Sequence, residues 1–259
     1  MRTKTDIDIL LDSYLPRVNS RVNDAMRYSL LGGGKRIRFN MVCNLADHFN
    51  AYDSNTEAMA VAVEMIHTYS LIHDDLPCMD DDDYRRGKPS CHRAFDFPTA
   101  VLAGDGLLNQ AMRVLVSQPM SDSYANAVKY ILDCSGAQGM VLGQEYDLEG
   151  TRDFESVTLL KTCRMFCAST VSVAIYLNLD TTTRQLLEQY AINYGYAFQL
   201  YDDVVDNRAN ESIVKAQINA YIDNAKDCLS QLGIHKGYYY DLFNLLDGTN
   251  HTNSTISGT

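Results

Sequence analysis

The sequence predicts an all-α protein, a bundle of long helices, and three observations carry that expectation. Only 5 prolines and 15 glycines occur in 259 residues, without the regular turn spacing of an all-β chain. Apolar residues recur at helical spacing through stretches too long for strands, notably 56–73, 97–116 and 184–206. Two of these stretches, far apart in sequence, stop in carboxylates: H-D-D-L-P-C-M-D-D-D-D at 73–83 and Y-D-D-V-V-D at 201–206. If their helices run parallel to each other, both acidic ends meet at one mouth of the bundle.

The first elements frame that mouth. Residues 5–30 place Leu, Ile, Tyr and Val at helical spacing, and Gly32-Gly33-Gly34 ends the run. Lys35, Arg36 and Arg38 then open the next helix. Glycines let a ligand approach the backbone, and helix-start amides attract anions. Lys35 and Arg38, three apart, lie about 60° from each other around a helix and can reach one phosphate group. A C-cap glycine run followed by a solvated basic turn explains the same residues equally well.

Residues 56–73 are apolar nearly all round (Met59, Val61, Val63, Met65, Ile66, Tyr69, Ile72), which marks a central buried helix. His67 falls on nearly the same stripe as Asp74, about 20° off, which points it towards the acidic end. Pro77 cannot continue the helix, and a break at Leu76-Pro77 lets Asp80 swing back beside Asp74. Six carboxylates lie within the ten residues 74–83, and Arg85, Arg86 and Lys88 follow at once. Two carboxylates about 5 Å apart repel by roughly 3 kcal/mol at an effective dielectric near 20, so such a rim needs cations. Hard oxygen ligands suit Mg²⁺ or Ca²⁺, and arginines suit bidentate recognition of phosphate. The stretch therefore reads as a metal-assisted site for a phosphorylated substrate.

Further along, 97–116 begins well for a helix with Pro98 in its first turn, and Asp105 inside it is expected to be hydrogen-bonded and structural. A helix over 124–144 leads into G-Q-E-Y-D-L-E-G, where Gln144 and Asp147 face the same way. Thr170 to Ile175 alternate like a strand, but the length of 155–178 without turn signals favours a buried helix. Lys161 on its polar side is a solvated lysine or a phosphate contact, the residues alone favouring the first. Over 184–206 the spacing of Leu187, Ala191, Tyr194, Phe198 and Tyr201 predicts an amphipathic helix. Asp202 and Asp206, about 40° apart around its axis, project together. Residues 212–246 read as one or two more helices with a frayed polar tail.

Composition narrows the function classes. A net charge of −11 argues against a nucleic-acid surface, and it means that a diphosphate must be held by local cations. The seven cysteines are scattered, with no second pair at zinc-site spacing, and read as reduced thiols of a cytosolic protein. The N-terminus lacks the apolar core of a signal peptide and no run of 18 apolar residues occurs, so a soluble, cytoplasmic chain without a membrane span is expected, folded as a single domain over 1–259.

Five motifs in order, G-G-K-R-I-R at 33–38, H-D-D-L-P-C-M-D-D-D-D-Y-R-R-G-K-P at 73–89, G-M-V-L-G-Q-E-Y-D at 139–147, K-T at 161–162 and F-Q-L-Y-D-D-V-V-D at 198–206, resemble those of trans-isoprenyl diphosphate synthases of the farnesyl and geranylgeranyl type. The resemblance implies the isoprenoid-synthase helical bundle around a central cavity, a homodimer, and condensation of isopentenyl diphosphate with an allylic diphosphate. It implies three Mg²⁺ ions, with Asp74 and Asp80 holding two, Asp202 the third, and Asp75, Asp203 and Asp206 in support. Lys35, Arg38, His67 and Arg86 match the isopentenyl diphosphate set; Arg85, Lys161, Thr162 and Gln199 match the allylic one. Asp74, Asp80, Asp202 and Lys161 carry the catalytic roles. Ser70 and Tyr69, four and five residues before Asp74, match the chain-length positions. The aromatic there resembles bacterial-type C15 synthases, although ideal helix geometry puts Tyr69 about 140° from Asp74.

The chain departs from the family at three places. The segment between Gln144 and Lys161 and the one after Asp206 (Asn207 to Glu211) are short, and Phe39 stands where proline is usual. A C20 synthase is the alternative product class. A terpene cyclase would replace the second acidic motif and lack Lys35, Arg38 and His67; a weakly active partner subunit would have lost one acidic motif; a Ca²⁺-binding interaction protein would not need Arg85-Arg86.

Overall fold

A computed structural model describes residues 2–150, 152–206 and 210–246, and the side chains of all of these except 211–213. The described chain is helical apart from one two-stranded hairpin. In order it forms α1 (Lys4–Ser13), α2 (Arg21–Leu30), α3 (Ile37–His48), α4 (Ser54–Asp74), β1 (Tyr84–Arg85), β2 (Lys88–Pro89), α5 (Cys91–Ala94), α6 (Phe97–Val116) and α7 (Asp122–Ser135). There follow α8 (Met140–Glu149), α9 (Phe154–Thr158), a π turn (Leu159–Cys163), α10 (Arg164–Tyr176), α11 (Thr181–Val205), α12 (Glu211–Gln231), α13 (Tyr238–Asp241) and a 3₁₀ turn (Leu242–Leu245).

The long helices start where a short polar side chain can take a free N–H. Asp53, Asp96 and Asp180 accept from Thr56, Thr99 and Thr183 at the heads of α4, α6 and α11. Three boundaries differ from the sequence expectation. Residues 5–30 form two helices, because the chain turns at Tyr14 and Ser20 caps a new start. Residues 124–144 are also two, broken at Gly136–Gly139, where a side chain on Gly139 would stand 2.0 Å from the Cys134 carbonyl. The basic turn is not helical at Lys35: α3 begins at Ile37, and Arg36 sits in the left-handed region at φ 53°. Helical spacing therefore does not relate Lys35 to Arg38.

The described residues fall into two compact units, one of residues 2–43 and 52–120, the other of 44–51, 121–150, 152–206 and 210–246. In the first, α4 packs along α6 with α2 against both. Every residue from Ala58 to Ile66 is at most 1% exposed, so α4 shows no polar face. The contact of α4 and α6 is close: a Cβ on Gly104 would lie 2.1 Å from His73 Nε2. Asp105 stands about 160° around α6 from the buried Ala103 and Leu107 and is exposed, not enclosed as expected. One ion network ties the unit inward. The buried Arg36 donates to Glu64 at 2.9 Å, to Asp8 at 2.7 Å and to the Leu30 carbonyl at 2.6 Å.

In the second unit α10 packs on α7 and α11, and α12 lies along α11. Residues 154–176 form one uninterrupted helical run, long and apolar enough to cross a membrane by composition and largely buried inside the protein. None of the seven cysteines forms a disulfide, and six are buried. The tail beyond Leu246 and residues 207–209 of the short segment after Asp206 lie outside the described residues.

Candidate active site

The first unit gathers its predicted residues around the end of α4. Asp75 caps that helix and Pro77 stops it, and the chain then closes a turn in which the Asp80 N–H donates to the Asp74 carbonyl at 2.8 Å. The backbones of Asp74 and Asp80 are thereby adjacent, which helix geometry without the break forbids. Asp75 is 2% exposed, and one of its oxygens accepts from Arg85 Nε at 2.9 Å and Nη2 at 2.5 Å. Burial pushes the Asp75 carboxyl up from its ordinary range, against the pull of Arg85. Arg85 also donates to Asp82 at 3.1 Å.

The hairpin β1–β2 pairs Tyr84 with Pro89 and Arg85 with Lys88, leaving Arg86 and Gly87 at its tip with φ 55° and 72°. Positive φ at both tip positions is the two-residue turn that suits strand twist. It sends Arg86 back, where Nη1 donates to the Gly33 carbonyl at 2.6 Å. A Cβ on Gly34 would stand 2.7 Å from the Arg86 guanidinium carbon, so the glycine run is there for close approach to this side chain.

Arg38 Nη1 lies 3.3 Å from His67 Nε2. A guanidinium only donates, so Nε2 accepts and the ring is neutral with its proton on Nδ1. Burial holds the His67 pKa well below the usual value, and the charges of Arg38, Arg86, Arg85 and Arg36 push it the same way. Four arginines thus surround one neutral imidazole, and Glu64 is the buried carboxylate among them, its Oε2 without a hydrogen-bond partner. Sequence reasoning missed Arg36 and Glu64 as members of this cluster. The available signal was a lone carboxylate inside an otherwise apolar helix, one turn before His67. Lys35 is exposed.

The histidine predicts a pH effect with a definite sign. Unfolding frees His67 to bind a proton that the folded site refuses, so stability falls as pH drops below the unfolded value near 6.5, by up to about 1.4 kcal/mol per pH unit. Thermal unfolding followed from pH 7.5 to 5.0 is expected to fall less steeply for His67→Gln than for the parent protein. Equal slopes would show that His67 is protonated in the fold.

Tyr69 is buried and meets the His73 ring edge-on at 5.8 Å. Its hydroxyl is pushed up to about 12 by burial and by the charge of Asp74, so the two groups share a neighbourhood that ideal spacing does not give them. Ser70 turns its hydroxyl onto the His67 carbonyl at 2.9 Å. Beside these residues lies a small pocket of about 40 Å³, walled by Tyr28 and Ser29 of α2, Thr68 and Asp75, and Arg85 and Arg86.

The second unit holds the other predicted residues around the π turn. Two glycines clamp that turn: a Cβ on Gly143 would lie 2.2 Å from Lys161 N, and one on Gly195 2.6 Å from Cys163 Sγ. Lys161 Nζ donates to Asp147 at 2.5 Å, in an ion pair that water still reaches. Thr162 donates to Gln199 Oε1 at 2.9 Å, and Gln199 Nε2 donates to Asp203 at 3.1 Å, which links the π turn to the acidic end of α11. Asp206 ends that helix, its N–H on the Asp202 carbonyl at 2.9 Å. Both amide atoms of Gln144 are buried without a partner among the described residues. Gly143→Ala forces a methyl into backbone; it is expected to cost about 1–3 kcal/mol, lowering the melting temperature by about 2–12 °C, and to weaken substrate binding through Lys161 and Thr162. Differential scanning calorimetry and steady-state kinetics check both parts, and an unshifted melting point counts against the clamp.

Among the described residues no three His, Cys, Asp or Glu side chains gather closely enough to form a metal cage. The oxygen-only donors at 74–83 and 202–206 nevertheless fit Mg²⁺, which takes one or two carboxylates and completes its shell with water and substrate phosphate oxygens.

The fold is all-α, with acidic helix ends and a cluster of guanidinium groups around His67. The polyprenyl synthetase family model matches residues 19–235. A farnesyl diphosphate synthase of Micrococcus luteus is 37% identical over 233 residues, covering 87% of this chain and 80% of the relative. One from Bacillus subtilis is 31% identical, covering 96% of both. Among solved structures, an FPP/GFPP synthase from Zymomonas mobilis superimposes with a TM-score of 0.83 at 34% identity, covering 94% of each chain. A geranyltransferase from Legionella pneumophila gives 0.80 at 30%, covering 94% of this chain and 92% of that one. The chain belongs to the polyprenyl synthetase family.

Proposed function

We propose that this protein condenses isopentenyl diphosphate with dimethylallyl or geranyl diphosphate to give farnesyl diphosphate, with geranylgeranyl diphosphate as the alternative product. The observation that carries this is the half-buried cluster of Arg38, His67 and Arg86 in the same unit as the Asp74–Asp80 turn, which offers a dianion site in one unit with metal-type ligands. Relatives named as farnesyl diphosphate synthases support the C15 product. Geranylgeranyl pyrophosphate synthases, such as the 39% identical one of Catharanthus roseus, support the alternative.

In this reading Lys35, Arg38, His67 and Arg86 hold isopentenyl diphosphate. The neutral His67 then donates through Nδ1 and takes no proton. Lys161, Thr162, Gln199 and Arg85 hold the allylic diphosphate. Asp74, Asp80 and Asp202 would hold three Mg²⁺, with Asp75, Asp203 and Asp206 in support. Bound Mg²⁺ supplies neutralisation of the leaving diphosphate. The protein's cations strengthen that effect as the allylic C–O bond breaks. The double bond of isopentenyl diphosphate attacks the allylic carbon, and the departing diphosphate takes the proton. Tyr69 limits the product.

The same reading includes a single domain, a homodimer and a cytoplasmic location. The exposed Leu102, Met112 and Val116 on α6 support a partner copy, and seven cysteines outside any disulfide support a reducing compartment. Light scattering after size exclusion tests the dimer. Incubation with Mg²⁺, isopentenyl diphosphate and C5, C10 or C15 primers, followed by chain-length analysis, tests the activity. A C15 product is expected, shifting towards C20 in Tyr69→Ala. A cyclic hydrocarbon formed without isopentenyl diphosphate would overturn the assignment.

A further inference from the structure

One helix holds one lysine at both ends. Gly143 of α8 lies against the Lys161 backbone, where a Cβ would stand 2.2 Å from its N and 2.6 Å from its Cα. Asp147, about one turn further along α8, accepts the Lys161 ammonium at 2.5 Å. The glycine contact is buried backbone on backbone. The ion pair is open to water, with side-chain exposures of 25% for Lys161 and 45% for Asp147. A pair that exposed contributes little to folding. Its effect lies in where it keeps the ammonium, because the main chain of Lys161 is already fixed by Gly143.

We propose that Asp147 is a positioning residue that holds Lys161 when no substrate is bound and yields it to the diphosphate group of the allylic substrate. The proposal rests on the reading that Lys161 contacts that diphosphate. A diphosphate bearing several negative charges outcompetes a single carboxylate for an ammonium ion. The exchange has a consequence on each side of the reaction. Asp147 competes with the incoming diphosphate and lowers its affinity. It also recaptures Lys161 afterwards, so the inorganic diphosphate leaves with one contact fewer.

Binding of inorganic diphosphate in the presence of Mg²⁺, measured by calorimetry, and steady-state kinetics with geranyl diphosphate test this in the parent protein and four variants. Asp147→Asn is expected to tighten inorganic diphosphate about two- to fivefold, the range of an exposed ion pair. KM for geranyl diphosphate and kcat fall together, because release slows. Asp147→Glu restores both. In a Lys161→Met background the second change, Asp147→Asn, has no effect. Weaker diphosphate binding in Asp147→Asn would make Asp147 itself a ligand and overturn the proposal. Equal tightening with and without the lysine would also overturn it, since that is the loss of a nearby negative charge alone. If Lys161→Met by itself leaves both diphosphate binding and KM unchanged, the assignment of Lys161 to the allylic diphosphate fails first.

Discussion

Asp74→Asn is expected to lower kcat/KM for the condensation of geranyl and isopentenyl diphosphates by about 10²–10³-fold while leaving the fold intact. Asn keeps the size of Asp and removes its charge, so the change isolates electrostatics. A lost interaction with charge that develops in the transition state typically costs that much rate. Asp74 ends α4 and is followed by five more carboxylates within the next nine residues. Removing one negative charge from that rim relieves repulsion, so the melting temperature stays constant or rises. Product formation from labelled isopentenyl diphosphate at saturating Mg²⁺ reads the rate, and calorimetry reads the fold. A loss smaller than tenfold would remove Asp74 from the chemistry.

Glu64→Leu is expected to have the largest effect on stability. Glu64 and Arg36 are paired at 2.9 Å with side chains 2% and 1% exposed. Breaking such a pair from one side leaves a buried charge and typically costs about 3–5 kcal/mol, a fall in melting temperature of about 6–20 °C for a chain of this size. Replacing both partners with apolar residues of similar volume is often close to neutral. Arg36→Met added to Glu64→Leu is therefore expected to recover most of the loss, even though Asp8 then loses its partner. Urea unfolding of the two variants and the parent decides it. If the single variant loses less than about 1 kcal/mol, the fold is not organised around this ion pair.

Much of the architecture was legible because its signals are local. The run 97–116 was predicted to the residue, since Asp96, Pro98 and an apolar stripe lie side by side in sequence. The halt at Pro77 followed from one missing N–H. The errors came where a distant neighbour decides. Asp105 faces solvent because Ala103 and Leu107 face α4, and a list of apolar neighbours in sequence does not say on which side the partner helix lies. Arg36 reads as surface charge until Glu64, 28 residues away, is seen against it. The partner of Lys161 is invisible until Asp147, 14 residues back along the chain, is seen against it.

By itself the sequence determined the helical class, the acidic helix ends, the arginines and the family to which they belong. Each of these depends on the order of residues within a few turns. Only the tertiary structure decided that His67 is neutral among four guanidinium groups, that Glu64 balances them, and that glycines at 143 and 195 let a π turn carry Lys161 and Thr162. Burial, protonation and backbone approach are set by atoms brought together from remote parts of the chain, and no local pattern encodes which atoms those are.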